Sequence, residues 1–325
     1  MIRVHSASVC RAAAVLMAAH VCFAWPQAYP SKPVRLIIPY APGGGSDILG
    51  RLLGAKVGES LGQQFVVDNR PGGGSTIGTL AVVRATPDGY TVGIVDTAFT
   101  INPGLMQKLP YDTTKDLMPV TFVATTPLLL SVHPSVPVKS ASELVAFAKT
   151  RPGQLTFSSA GAGAASHLAG ELFGYVAGVK LNHVPYKSAG QAATAVLSGE
   201  ISMSFILPAA TSGYVKSGRL RALATSGEKR YSGLPDVPTL TEVGMGRART
   251  EAYWGVVVPF GTPQPIIERL NDAFTRQLTA ADTQRRLAEM AFVPAPSSPT
   301  QFANFVREDI EKWTKVIRAA GVQVQ

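Results

Sequence analysis

A chain of 325 residues that is 46% hydrophobic is long enough to bury two separate cores, and its two cysteines, Cys10 and Cys22, both fall in the first two dozen residues, which excludes a disulfide framework for the rest. The formal net charge of +9 comes from scattered residues such as Lys32, Arg35, Arg51, Lys56, Arg70 and Arg84, with no run of five, so no nucleic-acid partner is expected. Diffuse positive charge of this kind favours encounter with small anions.

Residues 1–24 read as a secretory signal peptide. Arg3 and Arg11 flank its start, Ala12 to Ala19 is apolar, and Cys22-Phe23-Ala24 offers small residues for cleavage after Ala24, or as late as Ala28. Export is the expected fate, and loss of Arg3 and Arg11 takes the net charge to +7. As a membrane span the uncharged run from Ala12 to Ala28 is interrupted by His20 and Pro26 and falls short of the roughly 20 apolar residues required. A lipid-bearing Cys22 would follow Val21, which is bulky for such a site.

The first half of the mature chain then alternates strand and helix: Val34 to Tyr40 extended, Asp47 to Leu61 helical, Phe65 to Asn69 extended, Thr76 to Arg84 helical, Tyr90 to Val95 extended. Val120 to His133 is one apolar extended run, read as a crossing strand, and Ser140 with Glu143 forms a capping box for a helix over Ala141 to Lys149. A second set follows, with strands at Leu155 to Ser159, Leu181 to Tyr186, Ile201 to Leu207 and Arg219 to Ser226. After a segment rich in proline and glycine, Gly233 to Gly246, Tyr253 to Pro259 reads as the return strand, and two amphipathic helices begin at Thr262-Pro263 and Ser298-Pro299. The fold class is therefore α/β, with two doubly wound lobes joined by a hinge. Residues 29–124 and 228–325 form the expected first lobe, and residues 125–227 the second.

The strongest chemical signal is the pentapeptide Pro-Gly-Gly-Gly-Ser, present at Pro42 to Ser46 and again at Pro71 to Ser75, each time between a strand and a helix. Consecutive glycines bare the backbone N–H groups, and a helix start adds unpaired N–H groups and a partial positive charge. Two such loops point to a carboxylate or phosphate ligand. Neither carries the Lys-Ser/Thr pair of a nucleotide P-loop. Gly72, Gly74 and Gly78, with Asp96 a strand later, do not match the dinucleotide spacing. Tyr111 and Lys115 mimic a dehydrogenase pair but lie in a polar loop after Pro110. The mature histidines, His133, His167 and His183, lack metal-ligand spacing, so no metal and no cofactor are expected. Glu59, Asp68, Asp88, Asp96 and Asp236 include no obvious acid/base pair, and Asp47 reads first as a helix cap.

Five segments, in order, resemble the exported solute receptors of tripartite tricarboxylate transporters: Tyr29 to Arg35, Pro39 to Asp47, Asn69 to Gly74, Val184 to Lys187 and Leu234 to Glu242. The resemblance implies the type II periplasmic binding-protein fold and a receptor, not an enzyme, that hands a mono-, di- or tricarboxylate or aromatic acid to membrane transporter subunits. It implies that Tyr40, Ala41, Gly44, Gly45, Ser46 and Asp47, then Gly73, Gly74, Ser75 and Thr76, hold one carboxylate. Thr97 and Ala98 would add a contact in that lobe. Across the cleft, Ser159, Gly161, Gly163, Ser166 and His167 would close over the ligand, with Lys187 on the next loop. Where many relatives have an acidic residue this chain reads Ile206-Leu207-Pro208, which favours a plain carboxylate over an amino acid. A monomer is expected. Two other readings are a sensory receptor docking on a membrane histidine kinase, and an exported enzyme using His167 or Lys187 as a base.

Overall fold

The computed structural model describes residues 29–320. The expected signal peptide, with Cys10 and Cys22, lies outside the described residues. Among those described, no helix is long and apolar enough to cross a membrane.

In chain order, β1 is Val34–Ile38, α1 Gly45–Leu61, β2 Phe65–Asn69, α2 Thr76–Val83, β3 Thr91–Asp96, α3 Ala98–Leu105 and β4 Leu117–Pro127. The second lobe follows with β5 Leu129–Val132, α4 Ala141–Lys149, β6 Thr156–Ser159, α5 Ala165–Ala177, β7 Asn182–Pro185, α6 Ala189–Leu197, β8 Met203–Ile206, α7 Pro208–Lys216 and β9 Arg221–Thr225. The chain returns through β10 Glu251–Pro259 and ends with α8 Gln264–Thr279, α9 Ala281–Glu289, β11 Val293–Pro294 and α10 Pro299–Ala320.

The first sheet has the order β11-β4-β10-β3-β1-β2, and the second β7-β6-β8-β5-β9. In each, a parallel set (β2-β1-β3, and β7-β6-β8) is extended by an antiparallel neighbour, β10 in the first and β5 in the second. Parallel strands carry helices on both faces, so β1 and β3 are almost wholly buried apolar runs without alternation. The capping box at Ser140 forms, with Glu143 N–H on Ser140 Oγ at 3.1 Å, and Ser298 and Gln301 make a reciprocal one at the start of α10.

The single crossing strand expected over Val120 to His133 is instead two strands in different sheets, β4 and β5, broken at Leu128. Ser226 holds the break: Leu128 N–H donates to Ser226 Oγ at 2.9 Å, and the Ser226 hydroxyl donates in turn to Thr250 O on the returning segment. One buried hydroxyl thus ties both crossings together. Beyond β9 the chain stays on the second sheet's edge, with Thr225 N–H on Pro238 O and Leu240 N–H on Thr225 O, both at 2.8 Å. Helices α3, α6, α7 and α9 lie where the sequence reading had only loops or helix ends. Two of these, α3 and α7, have an apolar or small-residue composition with little periodicity, and α7 begins at Pro208, a residue that reads as a break but suits the first helical position.

Candidate ligand-binding site

The cleft between the sheets is walled by loops and helix starts at the carboxyl ends of β1, β3, β6, β7 and β8, as expected where strand order reverses in an α/β sheet. It measures about 600 Å³ including its mouth. Its wall takes the first residues or cap of five helices: Gly44 to Ser46 of α1, Thr97 before α3, Ala164 to Ser166 of α5, Ser188 and Ala189 of α6, and Leu207 before α7. Each start carries partial positive charge and N–H groups with no helical acceptor. In α1 the first helical bond runs from Ile48 N–H to Gly44 O at 3.0 Å, which leaves the amides of Gly45 and Ser46 without a helical acceptor. In α5 the bonds begin with His167 N–H on Ala164 O at 2.9 Å, which does the same for Ala165 and Ser166. Both lobes therefore contribute helix-start residues with unpaired N–H groups to the cleft wall.

Much of the remaining wall is apolar, from Leu128, Ile206, Leu207, Ala252 and the Trp254 ring, and Tyr40, Asp96 and Lys187 add polar side chains. Trp254 is anchored through Nε1–H to Ser46 Oγ at 2.9 Å. Gly45 lets that ring lie against α1, because a Cβ at Gly45 would sit 2.7 Å from Trp254 Cζ2 and 3.3 Å from Leu207 Cδ1 of the opposite lobe. The last distance leaves no room for a side chain between the two lobes at Gly45, and a second glycine repeats it. A Cβ at Gly163, whose φ is +81°, would be 3.0 Å from Asn102 Oδ1.

Of the residues singled out from the sequence, Tyr40, Ala41, Gly44, Gly45, Ser46, Thr97, Ser166 and Lys187 come together on this wall. The others lie elsewhere. Asp47, in the first turn of α1 and not at its cap, accepts Gly43 N–H, Arg51 Nε–H and Asn69 Nδ2–H, each at 3.0 Å. Burial opposes its charge, but these donors prevail and hold its carboxyl below the usual range. Its work is to shape the first glycine loop. The second glycine loop turns on itself: Thr76 N–H and Oγ1–H both donate to Gly73 O, at 3.2 and 2.7 Å, and Ser75 adopts φ 75°. Gly74 of that loop faces Ala162 O of the second lobe, and its own carbonyl accepts Asn102 Nδ2–H at 2.9 Å. Gly73, Gly74, Ser75 and Thr76 thus stand beside the cleft at the point where the lobes meet.

Ala98, fully buried, donates its N–H to Asp96 Oδ1 at 3.1 Å. Ser159 is also fully buried, with Oγ 2.6 Å from His183 Nε2 and 3.1 Å from the N–H of Gly161. That distance would suit a nucleophile and its base, but neither group reaches the cleft wall. His167 accepts Gly163 N–H on Nδ1 at 3.1 Å and stacks face to face on His183, centroids 3.9 Å apart. The two imidazoles, far apart in sequence, form a packed pair behind the second lobe's loop. Burial first, and the neighbouring His167 second, push His183 down to about 3.

Sequence reasoning missed two wall residues with chemistry of their own. Trp254 read only as part of a return strand, and Asp96 as a solvated or capping acid. In β10 and β3 they are direct cross-strand partners, which places both side chains on one face of the first sheet. Asp96 Oδ1 accepts the Tyr40 hydroxyl at 3.3 Å and Ala98 N–H at 3.1 Å. Burial dominates its environment and pushes its carboxyl up to about 6, while Tyr40 and Ala98 pull the other way. Burial and then Asp96 raise the Tyr40 phenol well above its usual value, so it stays a donor.

Two α/β lobes closing on a cleft ringed with helix starts define the class of periplasmic solute receptors. Residues 49–322 match the TctC family, described as the tripartite tricarboxylate transporter family receptor, and the chain belongs to that family. It is 33% identical over 299 residues to Protein BugT of Bordetella pertussis, covering 91% of this chain and 92% of that one. Among solved structures it is similar to Rpa4515 of R. palustris with adipate (TM-score 0.86, 32% identity, 91% of this chain and 99% of that one). It is also similar to MatC of Rhodopseudomonas palustris with bound malate (TM-score 0.82, 29% identity, 89% of this chain and 100% of that one).

Proposed function

We propose that this protein is a periplasmic receptor that captures a small carboxylate in the interlobe cleft and delivers it to the membrane subunits of a tripartite tricarboxylate-type transporter. The observation that carries the reading is the convergence of five helix N-termini, from both lobes, on one closed cleft. Relatives solved with adipate and malate support the ligand class. The carboxylate docks on the amides of Gly45 and Ser46 and on the Ser46 hydroxyl. The second lobe then closes with the amides of Ala165 and Ser166 and the Lys187 ammonium at the mouth. Water is expelled, which strengthens each of those hydrogen bonds. Gly74 and Gly163 serve closure, and Asp47 and His167 support the loops. The hinge lies at Leu128 and Ser226 to Thr250, and the lobes divide there.

In this reading residues 1–24, or 1–28, are removed on export, the receptor acts as a monomer, and it binds its ligand without turning it over. The transporter distinguishes loaded from empty receptor by its higher affinity for the closed form. Thermal unfolding of the purified mature protein with a panel of mono-, di- and tricarboxylates and aromatic acids tests the reading. At least one acid raises Tm by several degrees through mass action on the folded state, and no change with any of them removes the reading.

A further inference from the structure

Among the described residues that line the cleft, Asp96 is the one carboxylate, in a wall otherwise built to attract anions. As a cap for α3 it is poorly chosen. Receiving Ala98 N–H takes one oxygen, and Asn, Ser or Thr would do so without burying a negative charge. Both observed hydrogen bonds end on Oδ1, from Ala98 N–H and the Tyr40 hydroxyl. Oδ2 accepts nothing from another described residue, and it belongs to a side chain on the cleft wall. The donors nearby are committed: the Tyr40 hydroxyl to Asp96 itself, and Trp254 Nε1–H to Ser46. One carboxylate oxygen on the cleft wall is therefore left without a partner among the described residues.

We propose that Asp96 is the specificity-determining residue of this cleft, and that the acid it selects carries, besides its carboxylate, an N–H or O–H donor directed at Asp96 Oδ2. This rests on the carboxylate reading given above and departs from the preference for a plain acid drawn from Ile206 and Leu207. Those two side chains do line the cleft, and their apolar surface means that a donor group finds its acceptor on the first lobe instead. A plain dicarboxylate offers Asp96 only acceptors and like charge, whereas a hydroxyl or ammonium fills the open oxygen.

Calorimetric titration with matched trios tests this at pH 8, where Asp96 is ionised: propionate, lactate and alanine; succinate, malate and aspartate; glutarate, 2-hydroxyglutarate and glutamate. In at least one trio a hydroxy or amino member binds at least about tenfold more tightly than its plain analogue. Which of the two it is identifies the donor. Asp96→Asn narrows that ratio to below about threefold by weakening the donor-bearing acid and favouring the plain one. Asp96→Ser, which keeps a capping oxygen for Ala98 N–H, does the same. A merely capping Asp96 would leave the ratio unmoved in both variants, and a plain acid that binds as tightly as its substituted analogues overturns the proposal. Silence from all nine acids overturns this proposal, and silence from the tricarboxylates and aromatic acids of the wider panel as well removes the carboxylate reading itself.

Discussion

Trp254 on β10 donates its indole N–H to Ser46 in the first turn of α1 over 2.9 Å, and both residues are almost wholly buried. The bond crosses from the antiparallel strand between β3 and β4 to the helix start where an anion would sit. It fixes the Ser46 hydroxyl as an acceptor toward Trp254 and leaves its proton for a ligand.

Trp254→Phe removes that donor and part of the packed ring. We expect a loss of about 1–3 kcal/mol in unfolding free energy, from the smaller ring and the buried Ser46 oxygen left without its partner, measured by urea titration. Affinity for the bound acid falls with it, because Ser46 is then free to turn away.

Asp96→Asn should stabilise the empty protein at neutral pH. Asp96 titrates near 6 in the fold against an ordinary value of 3.8, so the folded state holds its proton more tightly than the unfolded chain does. The contribution of the protonated acid to stability is complete below about pH 4 and is lost as pH rises through 6. The variant therefore gains on the order of 1–3 kcal/mol over wild type at pH 7.5, and the gap closes near pH 4. The Tyr40 phenol that donates to this carboxyl stays protonated over that range, its own value raised by burial and by Asp96. A variant less stable than wild type at pH 7.5 would contradict the assignment.

Gly163→Ala strikes the contact between the lobes. Its positive φ strains any other residue, and the added Cβ lies 3.0 Å from Asn102 Oδ1 and 3.4 Å from Leu105 Cδ2 across the cleft. The strain costs about 1 kcal/mol of stability. The closed form is penalised further, so affinity drops about tenfold. Small-angle scattering then shows the wild type contracting with ligand and the variant remaining extended at the same ligand concentration.

His183, held down to about 3, stays neutral over the whole range in which a free histidine titrates near 6.5. The stability gained from a neutral, buried His183 is present above pH 6.5 and is lost as pH falls toward 3. Proton–carbon spectra should show no titration of the His183 ring between pH 8 and 4.5, and a midpoint near 6 would contradict its burial against His167.

The parallel strands β1 and β3 were legible in the sequence because each is a mainly apolar run bounded by turn residues, and α1 because Leu49, Leu53 and Val57 repeat at helical spacing. The first glycine loop was legible as an anion site because its residues are contiguous at one helix start. The second, identical in sequence, was not legible as an interlobe contact: only the fold brings Gly74 to Ala162 and Gly163 to Asn102. Asp96 and Trp254 are 158 positions apart and meet only through the β3–β10 register, which no local pattern encodes. The break at Leu128 was hidden for a similar reason, since Ser226, which holds it, lies on the far side of the second lobe's chain.

Amide chemical shifts during ligand titration test the central claim most directly. With the acid that gives the largest thermal stabilisation, the N–H resonances of Gly45 and Ser46 in the first lobe and Ala165 and Ser166 in the second should move downfield together, along one saturation curve. A saturating acid that leaves all four unmoved would contradict the account, since the ligand would then be held by something other than the paired helix starts.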